Sequence, residues 1–235
     1  MKTLDTKPDY LGHRERLRQR FLLSYGKDMA DYELLELVLT IALPRRDVKP
    51  LAKVLISKFG NFAGVINATK EDLCAVDGVK ENTFTVLKII NAALQRTSWQ
   101  NLQSFDGPII MNFDSLIDYC RSSMSYSDVE EFRLIYLDTK LHVVGQDTMQ
   151  KGTINSVAIH PREVIKAAMN HHASAIIMVH NHPSGNVQPS KSDVAMTERI
   201  DEACESIGIR LLDHLVIGHN EYYSFAQHCL LRNCS

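Results

Sequence analysis

The sequence predicts a mixed-sheet α/β domain over residues 105–235, preceded by a small all-α domain over residues 1–104. Three observations carry this. Residues 10–96 repeat their apolar positions at helical spacing. Residues 97–113 break that pattern and contain the Gly107-Pro108 pair, which marks a linker. Beyond it, strand-like and helix-like segments alternate, the pattern of a layered α/β domain.

In the first half, "HRERLRQRFLL" reads as a helix with Leu17, Phe21 and Tyr25 on one face. "DYELLELVLTIAL" follows, with Asp31 as its expected N-cap and Pro44 ending it. Pro50 suits the first turn of "PLAKVLISKFG", and Gly60 closes that helix. "NFAGVINA" is short, Thr69 caps "KEDLCAV", and "ENTFTVLKIINAALQR" is the expected last helix. In the second half Asp114 is the expected cap of "SLIDYCRSSM". "FRLIYLD" and "LHVVGQDTMQ" read as a strand pair. "PREVIKAAMNHH" is a helix opened by Pro161. "ASAIIMVHNH" is an apolar, β-branched strand suited to burial on both faces. A turn, "PSGNVQPS", leads to the long helix "KSDVAMTERIDEACESIG", closed by Gly208. "IRLLDHLVIG" and "YYSFA" are strands joined through "HNE".

Composition narrows the class of function. The formal net charge is -2 and charged residues make up 23%, so the whole chain is no polycation built for nucleic acid. Charge is uneven, with 16 Lys+Arg against 13 Asp+Glu in residues 1–106 and an acidic remainder. The five cysteines form no CxxC pair and are odd in number, which points to a reducing cytoplasm. The first residues lack the apolar core of a signal peptide, and no apolar run is long enough to span a bilayer.

The chemistry concentrates in "HNHPSGNVQPSKSD". His180 and His182 stand two apart at a strand end, so their side chains share a face. Zinc favours imidazole nitrogens with a carboxylate, and a catalytic site keeps one position for water. Asp193, in the first turn of the next helix, is the expected third ligand. The same residues admit a second account: Ser190-Lys191-Ser192-Asp193 fits a helix capping box.

The pattern H-x-H-x7-S-x2-D resembles the metal signature of JAMM (MPN+) metallopeptidases. "GTINSVAIHPREV", "VHNHPSGNVQPSKSD", "TERI" and "LLDHLVIG" resemble the RadC family of bacteria over about residues 105–228. The resemblance implies a JAMM/MPN-like, cytidine-deaminase-like fold and one Zn2+ ion held by His180, His182 and Asp193. It implies that Ser190 donates to a developing oxyanion, and that a glutamate before the first core strand acts as general base on a water. Glu130 in "EEFRLIYLD" matches that glutamate, with the adjacent Glu131 as the alternative. The implied activity is hydrolysis of a peptide or isopeptide-like amide. His214 is expected in the core or beside the ligands.

A competing function is a DNA-repair accessory protein whose metal site is structural. "LCAVDGVKENTFTVLKII" resembles a helix-hairpin-helix, a DNA-binding module. Gly78 keeps the first hairpin glycine, and Lys80 replaces the second. Arg14, Arg16, Arg18 and Arg20, and separately Arg45 and Arg46, could touch phosphates, but any single cluster reads first as a solvated helix face.

Overall fold

The computed structural model describes residues 9–152, 159–219 and 221–232. Cys234, Asn220 of the expected "HNE" turn and residues 153–158 of "GTINSVAIHPREV" lie outside the described residues. The chain divides into two compact units, Met1–Ala93 and Leu94–Ser235.

The first unit is helical: α1 (Asp9–Ser24), α2 (Asp31–Ala42), α3 (Lys49–Phe59), α4 (Phe62–Asn67), α5 (Lys70–Cys74) and the start of α6 (Glu81–Ser104). Its core gathers Leu35, Leu39, Leu51, Leu55, Val65, Leu73 and Leu87. Leu17 is buried as the helical spacing predicts, whereas Tyr25 is exposed at positive φ, past the helix end. Asp31 is not the cap of α2. Ala30 holds that position, and the Asp31 carboxylate instead accepts the Phe62 amide at 2.9 Å. Thr69 caps α5 by accepting from the Asp72 amide.

Residues 97–104, expected in the linker, are helical and complete α6. No glycine or proline interrupts the chain before Gly107, so nothing ends the helix sooner. Leu102 is buried in the core of the second unit, with Trp99 packed against it.

The second unit continues with a 3-10 turn (Ile109–Asn112), α7 (Phe113–Met124), β1 (Glu130–Leu137), β2 (Val143–Gly152), α8 (Pro161–Asn170), β3 (Ala175–Asn181), α9 (Lys191–Glu205), β4 (Arg210–Ile217) and β5 (Tyr222–Ser224). Asn112, not Asp114, occupies the N-cap of α7, and Asp114 lies in its first turn. The sheet order is β2-β1-β3-β4-β5. β3 and β4 run parallel, and the other neighbours are antiparallel. This is the expected mixed α/β architecture.

Both faces of the sheet are covered, so β3 is buried along its whole length. One face carries Ile135, Leu137, Ile177, Val179 and Leu215 against Leu116 and Cys120 of α7. The other carries Leu134, Tyr136, Ile176 and Met178 against Val164 and Ala168 of α8 and Ile200 and Cys204 of α9. Side-chain alternation puts His180 on this second face, beyond Met178. Phe132 of β1 pairs with His180, which brings the first residue of β1, Glu130, to the same edge of the core. Among the described residues, no helix is long and apolar enough to cross a membrane.

Candidate metal centre

Glu130, His180, His182 and Asp193 converge, with one donor atom from each lying within 4.8 Å of all the others. The Nε2 atoms of His180 and His182 stand 3.0 Å apart. Asp193 Oδ1 is 3.7 Å from His180 Nε2, and Asp193 Oδ2 is 3.7 Å from His182 Nε2. Donors that each sit about 2.1 Å from a tetrahedral zinc are about 3.4 Å from one another. The observed spacings bracket that value, so the two histidines and the aspartate fit an ion of this size.

Hydrogen bonding fixes which nitrogen each ring offers. Thr197 of α9 donates its one hydroxyl proton to the Asp193 carbonyl at 2.6 Å. Toward His214 Nδ1, 2.6 Å away, the same oxygen therefore accepts. His214 then carries its proton on Nδ1. Burial, with His180 adding to it, holds His214 well below the usual histidine range, so the ring is neutral and Nε2 is an acceptor. His180 Nδ1, 2.7 Å away, must donate to it. Burial also pushes His180 down to about 4, and its Nε2 lone pair faces the cluster. His182 Nδ1 donates to the Asn186 carbonyl at 2.6 Å, which turns its Nε2 inward as well. These bonds orient both imidazoles as metal ligands are oriented. His182 itself is raised, first by the Asp193 carboxylate and against the effect of burial.

The capping box and the candidate metal cluster share Asp193. Ser190 is the N-cap of α9: its hydroxyl accepts the Asp193 amide, and its own amide donates to Asp193 Oδ2 at 2.7 Å. The Ser190 hydroxyl also donates to Asp193 Oδ2, at 2.6 Å, and lies 2.7 Å from the Ser192 hydroxyl. Burial works to raise Asp193, but His182, His180 and these Ser190 bonds outweigh it and hold the carboxyl well below its usual range. The cap thus keeps Asp193 ionised and aimed at the histidines.

The two glutamates of β1 part company because neighbours on a strand face opposite ways. Glu130 points into the cluster, where burial and Asp193 raise its pKa against the opposing effect of His182. Its Oε2 is buried and has no hydrogen-bond partner among the described residues. Glu131 points to the other face. Burial raises it, but Lys151 at 2.6 Å and Arg133 at 2.7 Å prevail and lower it.

His214, expected in the core or beside the ligands, is fully buried and bonded to His180. Two contributors, Thr197 and Asn181, were not assigned from sequence. Asn181, between the two histidines, is fully buried. Its Oδ1 accepts the Glu131 amide at 2.8 Å, and its Nδ2 donates to the Val129 carbonyl at 3.1 Å. Asn181 therefore clamps the backbone on both sides of Glu130.

Comparison with known proteins agrees with the fold. Residues 110–230 match the profile of the RadC-like JAB domain, which places the second unit among JAB domains. A UPF0758 protein of Ruegeria pomeroyi is 45% identical over 93% of this chain and 97% of its own length. A UPF0758 protein of Rhodobacter capsulatus is 44% identical over 92% of this chain and all of its own. A third, from Fusobacterium nucleatum, is 36% identical over 96% of this chain and all of its own. The chain belongs to the RadC family.

Proposed function

We propose that the second unit is a zinc-dependent hydrolase of amide or isopeptide-like bonds. The observation that carries this is the pairing of two inward-facing imidazole lone pairs and an ionised carboxylate with a buried carboxyl oxygen on Glu130 that has no hydrogen-bond partner among the described residues. His180, His182 and Asp193 hold the ion. Zinc, when bound there, lowers the pKa of water and polarises a carbonyl.

The remaining work falls to side chains of this chain. Glu130 Oε2 takes the proton of the attacking water and returns it to the leaving nitrogen. Ser190 orients Asp193, and it serves as the oxyanion donor by exchanging its Asp193 bond for one to substrate. The apolar Phe132 stacks near His180 and limits water at the site. A peptidase screen of the zinc-loaded protein against Glu130→Gln tests the reading. Loss of hydrolysis in the variant supports it, and equal hydrolysis in both excludes Glu130 as the base.

Contact with DNA by the first unit is a second reading, favoured by one observation. Gly78 sits at φ 92 in the turn between α5 and α6, and the Arg46 guanidinium lies 3.0 Å from where a β-carbon would stand. The turn thus carries a cation packed against its glycine. The N-terminal cluster supplies less, since Arg18 pairs with Glu15, Arg20 with Glu33, and Arg14 donates to the Pro44 and Arg46 carbonyls. Titration with duplex DNA at two salt concentrations tests it, with steep weakening in salt as the expected result.

A further inference from the structure

A cleft opens beside the cluster, sharing Glu130, His180 and Asp193 with it. Its walls are otherwise apolar or neutral, with Phe132, Ile159 and Met196 contributing, and with Arg199 as the single additional charge among the described lining residues. We propose, resting on the hydrolase reading, that Arg199 selects substrates carrying a carboxylate near the scissile amide.

Helix geometry places Arg199 for this. Ser192, Met196 and Arg199 follow i, i+4, i+7 spacing on α9, so one helix face runs from the metal cluster through an apolar contact to a guanidinium. Six residues of helix separate Asp193 from Arg199, about 9 Å along the axis. A peptide lying along this face has its reacting carbonyl at the cluster and an acidic side chain, or its own terminal carboxylate, at Arg199.

Arg199 also lacks the partner that would make it a surface ion pair. At i−4, i−3 and i+4 stand Ala195, Met196 and Ala203, none of them acidic. Glu202, at i+3, pairs with Arg232 instead. The one bond shown for Arg199 runs from Nε to the Ala195 carbonyl at 3.3 Å, which steadies the guanidinium and leaves its two terminal nitrogens without an ion-pair partner among the described residues. The carboxylates of Glu130 and Asp193 belong to the metal cluster. Arg199 is exposed where it lines the cleft, within reach of a ligand there, and its planar fork suits a carboxylate.

The test is a peptide library cleaved by the full-length, zinc-loaded protein, with three arms: internal Asp/Glu peptides, peptides with free C-termini, and neutral amidated peptides. Wild type is expected to cleave at a fixed distance from a carboxylate, and the preferred arm tells side chain from terminus. Arg199→Met should erase the preference, and Arg199→Glu should turn it toward lysine-bearing peptides. Binding of uncleaved peptide to Glu130→Gln, read by fluorescence anisotropy, gives a second measure, with about tenfold tighter binding of the carboxylate form than of its amide. Cleavage of library peptides without regard to charge, or Arg199→Met keeping the wild-type preference, overturns this inference while leaving the hydrolase intact. A wild-type protein that cleaves no peptide of any arm overturns both.

Discussion

His214 Nε2 lies 2.7 Å from Nδ1 of His180, and this contact settles which nitrogen of His180 faces the metal cluster. Thr197 fixes the His214 tautomer in turn, through a hydroxyl whose proton is spent on the Asp193 carbonyl. Thr197→Val removes that hydroxyl at nearly constant shape. The fold should survive, and zinc affinity should fall about 10–100-fold, as measured by competition with a chelator. An unchanged affinity would show that the histidine pair needs no such support.

Glu130 and Glu131 should separate cleanly under substitution. Glu130→Gln should keep its fold and its zinc but lose about 10²–10⁴-fold in hydrolysis. Glu131→Gln removes the ion pairs to Arg133 and Lys151 and should lower stability by about 1–3 kcal/mol while retaining turnover. Denaturant titration and a hydrolysis assay on both variants distinguish them. The opposite pattern would make Glu131 the base.

Asn181→Ala should expose the dependence of Glu130 on its backbone clamp. The Glu131 amide loses the side-chain acceptor that Asn181 supplies, at a cost of about 1–3 kcal/mol. Zinc should remain, because His180, His182 and Asp193 are untouched, while hydrolysis falls more than stability alone explains. Full activity in a folded Asn181→Ala protein would contradict the clamp.

Much of this architecture is legible in the sequence. The strand reading of "FRLIYLD" gives β1, the apolar, β-branched run "ASAIIMVHNH" gives β3, and Ser190 caps α9 where the S-x-x-D spacing places it. Strand alternation anticipates co-facial His180 and His182, although His182 lies just past the end of β3 and is turned inward by the Asn186 carbonyl. What was not legible depends on distant pairings. Glu130 lies 50 residues before His180, and only the β1–β3 register brings them together. The choice between Glu130 and Glu131 likewise needs to be seen against the ion pairs of Arg133 and Lys151. Local caps misled at Asp31 and Asp114, where Ala30 and Asn112 take the cap positions and the acids settle into the first turn. Acidic residues are favourable in either place, so their presence marks a helix start without fixing its first residue.

Ser190→Ala should act on fold and metal together. Loss of the N-cap costs about 1 kcal/mol of stability, and Asp193 also loses a hydrogen bond that keeps it ionised. Thermal unfolding of metal-free and zinc-loaded protein should therefore show a lower midpoint for the variant and a smaller rise on adding zinc. An undiminished rise would confine Ser190 to capping.

Metal content of the purified chain, read by mass spectrometry against protein concentration, bears most heavily on the site. One zinc per chain is expected in the wild type, with loss of the ion from a His182→Ala protein that keeps the far-ultraviolet spectrum of the fold. A folded His182→Ala protein with a full zinc complement would contradict the ligand set drawn from His180, His182 and Asp193.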